Sequence, residues 1–154
     1  MSSAVCFPSV DWFERLANAM RKEVERFQEL GTTDCTMVVK VDLGALGTRI
    51  YEIGFEGFEI TEIRELSSLE QAKASHFVVE GSLEAWREMI ENIRRNGAPD
   101  LEHTLNYLTL PDVPLRVSGP DQLEIDAFYR YNETIQRFFN GAAGIATRYE
   151  RVAI

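Results

Sequence analysis

The chain has 154 residues, of which 45% are hydrophobic and 27% are charged, a composition typical of one globular domain. Its net charge of −9 repels phosphate groups and argues against binding to nucleic acids or anionic membranes. The two cysteines are too few for a disulfide framework. Neither a secretory signal nor an apolar run of about 20 residues is recognisable, so we expect a cytoplasmic protein without an integral membrane segment.

The first periodic segment covers residues 10–30, where apolar side chains recur at three- and four-residue steps. This spacing predicts an amphipathic helix. Either Ser9 or the pair Asp11 and Glu14 would cap its start, and Gly31 would end it.

From Asp34 onward the apolar period changes to two, which predicts strands with one apolar face and one mostly polar face. We expect three strands of an antiparallel meander, at residues 37–43, 49–55 and 58–63. Glu56-Gly57 fits a two-residue hairpin connection between the second and third strands.

The second half of the chain alternates strands with helices. A fourth strand is expected at residues 75–80, followed by a helix that Ser82 caps and that ends before Gly97. A short helix is expected at 100–108 and a fifth strand at 115–117. This order of elements predicts an α+β fold, in which helices cover one face of a five-stranded, largely antiparallel sheet.

The closing helix is rich in aromatic rings, and Asp121 with Glu124 has the spacing of a capping box at its start. Two interpretations of this helix remain open. It belongs either to an ordinary core or to the wall of a lipophilic cavity, in which Tyr131, Asn132 and Thr134 would supply polar groups. The apolar stripe of this helix consists of Phe128, Tyr131, Ile135, Phe138, Phe139 and Ala142.

Motifs for catalysis or metal binding are missing from the sequence. It contains no nucleotide-binding glycine loop, no zinc-protease or serine-hydrolase motif and no Cys-x-x-Cys. His76 could act as a general base if its strand faced a pocket, but structural or solvent-exposed roles explain both His76 and His103 more simply. We therefore predict no catalytic residue, no metal site and no cofactor.

The segment SHFVVEGSLEAW, at residues 75–86, resembles the sterol carrier protein 2 (SCP2) family. Members of that family carry a strand that ends in glycine, then a polar cap and a helix with a tryptophan. Gly81, Ser82 and Trp86 occupy these positions here. Glycine permits the sharp turn, and serine satisfies a free N–H group at the helix start. The order of elements between about Val10 and Ala142 is also similar to that family.

The resemblance implies one SCP2-like domain over residues 1–154, with its core at about 10–142 and a tail at 143–154. It also implies an apolar tunnel between the sheet and the helices, which would hold a sterol, a fatty acid or an acyl-CoA without covalent chemistry. The expected ligand-binding residues are Phe77, Trp86, Met89, Leu105, Phe128, Tyr131, Ile135 and Phe138.

The expected function is therefore lipid binding, either as a carrier or as a module that presents a lipid substrate, with a hydrophobic small molecule as partner. One alternative is a small cavity enzyme of the isomerase or cyclase type that would use His76 or Tyr131 on a hydrophobic substrate. Another is an interaction domain, which solvent exposure of Phe128, Phe138 and Phe139 would indicate.

Overall fold

The computed structural model describes residues 4–73, 76–100, 103–104 and 115–150, which contain five helices and seven strands. The helices are α1 (Val10–Lys22), α2 (Val24–Leu30), α3 (Leu83–Asn96), α4 (Gln122–Arg130) and α5 (Asn132–Asn140). The strands are β1 (Val5–Phe7), β2 (Cys35–Asp42), β3 (Thr48–Glu56), β4 (Glu59–Leu66), β5 (Phe77–Ser82), β6 (Arg116–Ser118) and β7 (Thr147–Tyr149). Most of the short helix expected at 100–108 lies outside the described residues.

Five of the strands form one sheet in the order β4-β3-β2-β5-β6. The pairs β2–β3, β3–β4 and β5–β6 are antiparallel, whereas β2 and β5 are parallel. Because β4 and β5 run in the same direction, the chain has to cross the sheet between them. The predicted α+β fold with a five-stranded, largely antiparallel sheet is confirmed.

The first predicted helix is divided in two at Glu23. The Ser9 side chain accepts a hydrogen bond from the Trp12 N–H group at 3.1 Å, so Ser9 rather than Asp11 caps α1. Glu23 leaves the helical conformation, and its N–H group bonds to the Met20 carbonyl in a tighter turn. The division redirects the chain, and α2 then buries Phe27 and ends at Gly31.

The predicted closing helix is also divided, into α4 and α5, because Tyr131 leaves the helical conformation (φ −102°, ψ 15°). The Asp121 side chain caps α4 by accepting a hydrogen bond from the Glu124 N–H group at 3.0 Å. A single long helix was therefore the wrong expectation, while its predicted cap is confirmed. The joint lets the two halves pack against different parts of the core.

The β3–β4 hairpin differs by one residue from its prediction. Glu56 pairs with Glu59, so the two-residue loop is Gly57-Phe58 rather than Glu56-Gly57. Gly57 has a φ of 63°, a left-handed conformation that glycine adopts without steric cost. Strand β3 therefore extends to Glu56, and β4 begins later than predicted, at Glu59.

Strands β1 and β7 pair in parallel, although they stand at opposite ends of the chain. Neither strand is predicted from the sequence, because each is short and its partner lies at the other end of the chain. The pairing places the segment after Ala142 against the start of the chain. The Trp12 ring N–H group donates a hydrogen bond to the Thr147 hydroxyl at 3.1 Å, and this bond attaches the segment to α1.

The two faces of the sheet differ in what covers them. The face below the helices carries the main core, to which β2 contributes Met37, Val39 and Val41. The opposite face was expected to be mostly polar, yet it carries a small apolar cluster of Val38, Ile50, Leu66 and Val78, against which Ala72 packs. The cluster is buried because the connection after β4 folds back over this face.

Candidate functional site

The structure brings most of the predicted ligand-binding residues together in the main core between the sheet and the helices. Five of them are completely buried, Phe138 is 1% exposed and Tyr131 packs partly buried against the same cluster. Leu105 lies outside the described residues. The five completely buried residues are Phe77, Trp86, Met89, Phe128 and Ile135.

Helix α4 contacts strands β5 and β6 of the sheet, and one of its contacts joins two rings. The Phe128 ring meets the Phe77 ring of β5 edge-on, with 5.6 Å between the ring centroids. On the solvent side of the same helix, Leu123 is 73% exposed and Tyr129 is 48% exposed. Of the nine residues of α4, all of which the structure describes, only Phe128 is fully buried.

Helix α5 contributes two further rings to the same layer. Phe138 meets Phe55 of β3 edge-on at 5.3 Å between centroids. Phe139 lies 5.8 Å from Trp86 and 6.4 Å from Trp12. Phe55, Phe138, Phe139, Trp86 and Trp12 are linked by ring contacts, and Phe77 with Phe128 forms a separate pair. We call these seven rings the aromatic layer, and their contacts show that side chains occupy this space.

Three of these rings, Phe55, Phe139 and Trp12, were not among the predicted ligand-binding residues, although all three belong to the aromatic layer. The signal for Phe139 was present in the sequence, because it follows Phe138 on the apolar stripe of the closing helix. Phe55 carried no comparable signal, since its position opposite Phe138 depends on how α5 crosses the sheet.

Polar groups occur where α4 joins α5. The Nδ2 group of Asn132 is buried, and it has no hydrogen-bond partner within the described residues. Thr134 is 5% exposed, and the Arg130 guanidinium lies 5.7 Å from the centre of the Tyr131 ring. Buried amide groups are almost always hydrogen-bonded, so the unpaired Nδ2 group of Asn132 remains available as a donor.

The clefts at the surface of the described residues include four that none of the predicted ligand-binding residues lines. A cleft of about 350 Å³ at the end of β2 is lined by charged residues, among them Lys40, Glu80 and Arg116. A second, of about 340 Å³, lies between α1 and β4. A third, of about 480 Å³, separates α1 from residues 141–146, and a fourth, of about 500 Å³, adjoins the β3–β4 hairpin.

The groups that could perform acid–base or thiol chemistry lie apart from the aromatic layer or are unreactive. The His76 Nδ1 atom lies 2.6 Å from the Lys73 carbonyl oxygen, and the His103 Nδ1 atom lies 2.6 Å from the Asp100 carboxylate. Burial raises the pKa of the Cys35 thiol to about 12, which keeps it protonated. Within the described residues, His, Cys, Asp and Glu form no group of three that could hold a metal ion.

Solved structures with this architecture include two proteins. One is the solution structure of a conserved hypothetical protein from Thermus thermophilus, suggested to be a sterol carrier protein. It has 15% sequence identity and a TM-score of 0.64, and the alignment covers 96% of this chain and 94% of that chain. The other is a crystal structure of sterol carrier protein 2, with 16% identity, a TM-score of 0.62 and coverage of 88% of this chain and 96% of that chain.

No family model and no curated protein matches the sequence. The structural similarity therefore establishes the fold, and the chain has an SCP2-like fold. In the described part of the chain, every helix is too short or too polar to traverse a lipid bilayer.

Proposed function

We propose, from the SCP2-like fold of this chain, that it binds a lipophilic small molecule between the sheet and the helix pair α4–α5, as a carrier or a module that presents the lipid. The residues proposed to contact the ligand are those predicted from the sequence. They are Phe77, Trp86, Met89, Leu105, Phe128, Tyr131, Ile135 and Phe138.

The observation that carries the proposal is that α4 is attached to the sheet by side-chain packing and not by backbone hydrogen bonds. Strands are joined by backbone hydrogen bonds, but α4 contacts β5 through side chains, and Phe128 is its one fully buried residue. A ligand can therefore enter by separating Phe128 from Phe77 without breaking the hydrogen bonds of the sheet. In this proposal α4 is the element that moves.

Apolar burial provides the driving force for binding. Each Å² of ligand surface removed from water contributes roughly 25 cal/mol before ordering costs are subtracted. The ligand replaces the ring contacts that it breaks, so the rearranged core stays apolar. A hydroxyl or carbonyl oxygen of the ligand can accept a hydrogen bond from the free Nδ2 group of Asn132, which would orient the ligand.

The alternative functions have less support. Exposed rings would have indicated an interaction domain, but Phe128 is 0% exposed and Phe138 and Phe139 are each 1% exposed. A cavity enzyme would use His76 or Tyr131, but the His76 ring contacts the Lys73 carbonyl and the Arg130 guanidinium lies 5.7 Å from the centre of the Tyr131 ring.

The test begins with native mass spectrometry of freshly purified full-length chain, in which we expect a co-purified lipid. The delipidated chain is then titrated with oleate, cholesterol and oleoyl-CoA while its melting temperature is followed. Labelled methionine methyl groups locate the ligand by NMR. We expect the Met89 signal to shift, since Met89 is a proposed contact, and the Met20 signal on α1 to shift less.

Two results would contradict the proposal. The first is a melting temperature that none of the three lipids raises. The second is binding that leaves the Met89 methyl signal unchanged, because the ligand would then lie outside the aromatic layer.

A further inference from the structure

The cleft between α1 and residues 141–146 has an unusual charge for this protein. Its volume of about 480 Å³ lies within the roughly 300–1,000 Å³ of small-molecule pockets. The described residues that line it include two cations, Arg15 and Lys22, and no carboxylate, although acidic residues outnumber basic ones by 25 to 16 in the chain. The charged side chains that line this cleft thus have the opposite sign to the net charge of the protein.

One face of α1 supplies the polar side of the cleft. Arg15, Asn18 and Lys22 follow one another at three- and four-residue steps, which places them on one helical face. Among the described residues, neither Arg15 nor Lys22 has a carboxylate at ion-pair distance. The Asn18 Oδ1 atom already accepts a hydrogen bond from Arg21 at 2.7 Å, so its NH₂ group remains as a donor. The three side chains are all available to donate to an anion.

The opposite wall of the cleft is apolar. It is formed by Val5, Gly141, Gly144, Ile145 and Ala146, with Ala19 of α1 between the polar residues. Ile145 is only 8% exposed and belongs to the main core, so this wall is continuous with the protein interior. The apolar part of a ligand that covers this wall is removed from water, and a charged group of the same ligand can reach the hydrogen-bond donors of α1.

Two glycines define the shape of the cleft. A Cβ atom at Gly141 would lie 3.2 Å from the Ala19 Cβ atom and 3.3 Å from the Leu16 Cδ2 atom, so the wall closes on α1 at this position. A Cβ atom at Gly144 would meet nothing within 4 Å. The cleft is therefore closed beside Gly141 and open beside Gly144, where a larger side chain would fill it.

We propose that this cleft binds the head of an anionic amphiphile, with its carboxylate or phosphate on Arg15, Asn18 and Lys22 and the adjoining apolar chain on the wall of residues 141–146. The inference does not depend on the proposed function, because it concerns the other side of α1 and needs no movement of α4. Such a site would select lipids by charge, which the aromatic layer cannot do.

Binding of decyl phosphate and decanoate to the full-length chain tests the proposal, with isothermal titration calorimetry as the readout at one fixed ionic strength. Inorganic phosphate and acetate carry the charge alone, and decanol carries the apolar chain alone. We expect both amphiphiles to bind at least about tenfold more tightly than either partial probe, since both walls contribute. The proposal would be overturned if inorganic phosphate bound as tightly as decyl phosphate. It would also be overturned if decanol bound as tightly as decanoate at a site that Gly144→Leu blocks.

Variants with matched controls locate the site. The double variant Arg15→Gln, Lys22→Gln should weaken binding of decyl phosphate by at least about tenfold. The control Arg26→Gln, Arg95→Gln makes the same change in net charge at exposed positions outside the cleft, and we expect its affinity to stay within about twofold of the parent chain. Equal losses in the two double variants would show that net charge, and not this cleft, governs binding.

A third pair of variants tests the apolar wall. Gly144→Leu should fill the cleft and weaken binding of decanoate, whereas Ala143→Leu places the same side chain on the neighbouring exposed residue, which does not line the cleft. Unchanged binding to the Gly144 variant would contradict the proposal. Neither substitution touches Met89 or Phe128, so failure here leaves the ligand site under α4 to be decided by its own NMR test.

Discussion

The Tyr149 hydroxyl donates a hydrogen bond to the Glu91 Oε2 atom at 2.7 Å and thereby joins β7 to α3 across 58 residues of sequence. The Arg94 guanidinium donates to the same oxygen at 2.8 Å, and the Arg87 guanidinium lies 5.3 Å from the centre of the Tyr149 ring. Burial alone would raise the pKa of Glu91, but the hydrogen bonds from Tyr149 and Arg94 outweigh it and hold this pKa below its ordinary value. Strand β7 is thus attached to α3 by a hydrogen bond to a charged carboxylate.

Removal of the Tyr149 hydroxyl should loosen this attachment. For Tyr149→Phe we expect the free energy of unfolding to fall by about 1 kcal/mol, below the roughly 1.5–3 kcal/mol of hydrogen bonds to charged groups, because the Glu91 side chain is 34% exposed. Urea denaturation measures the change. Tyr129→Phe, in an exposed tyrosine of α4, serves as the control, and an equal loss in both variants would show that the Glu91 contact contributes nothing.

The buried Glu52 carboxylate should make stability depend on acidity. It is 0% exposed and accepts hydrogen bonds from Arg64 Nε at 2.7 Å and from the Lys73 N–H group at 2.8 Å. Burial alone would raise the pKa of Glu52, yet these bonds lower it below the ordinary value of 4.5. A lowered pKa gives stability that is complete above the unfolded-state value and is lost as the pH falls through the folded-state value.

We therefore expect Glu52→Gln to lower the free energy of unfolding at neutral pH by about 1–2 kcal/mol and to flatten its decline in acid. Urea denaturation at a series of pH values between neutral and strongly acidic measures both effects. Glu59→Gln, at an exposed position of β4, should leave the acid dependence unchanged. A Glu52 variant with the same acid dependence as the parent chain would refute the assignment.

The His103 imidazole should titrate above its ordinary value of 6.5, because its hydrogen bond to Asp100 favours the charged ring and so raises its pKa. A raised pKa contributes stability that is complete below the unfolded-state value and is lost as the pH rises through the folded-state value. An NMR titration of the ring protons measures the pKa directly. Asp100→Asn should lower it more than Glu88→Gln does, since the Glu88 carboxylate lies farther away, at 3.6 Å.

Adjacent aromatic residues of α4 should differ sharply in their effect on stability. Phe128→Ala removes a ring that is 0% exposed, and we expect it to lower the free energy of unfolding by about 3–5 kcal/mol. Tyr129→Ala removes a ring that is 48% exposed and should cost no more than about 0.5 kcal/mol. Thermal and urea denaturation of both variants give the comparison, and similar losses would show that α4 is not held by Phe128.

Local features of the sequence predicted the local features of the fold. The caps Ser82 and Asp121 are confirmed, as is Ser9, one of the two alternatives for α1, because capping needs only a side chain and the backbone three residues away. The predicted end of α3 before Gly97 is also confirmed. The strands of the meander were predictable because apolar and polar residues alternate within each strand. The divisions at Glu23 and Tyr131 were missed, since helical periodicity continues across both residues.

The residues of the proposed ligand site were also predictable only in part from the sequence. The apolar stripe identified Phe128, Ile135 and Phe138 as residues of one face, and the structure places them in one core. Their partners, Phe77 and Phe55, could not be assigned from spacing. Which strand a helix crosses depends on the packing of many side chains at once, and no single segment encodes it.

The sequence by itself determined the class of fold, the helix caps and the apolar face of each element, because these depend on periodicity and on hydrogen bonds between near neighbours. Tertiary structure alone decided the pairing of β1 with β7, the burial of Glu52 and the cleft beside Arg15 and Lys22. These features join residues far apart in the chain, and their free energy exists only after the sheet and helices have packed together.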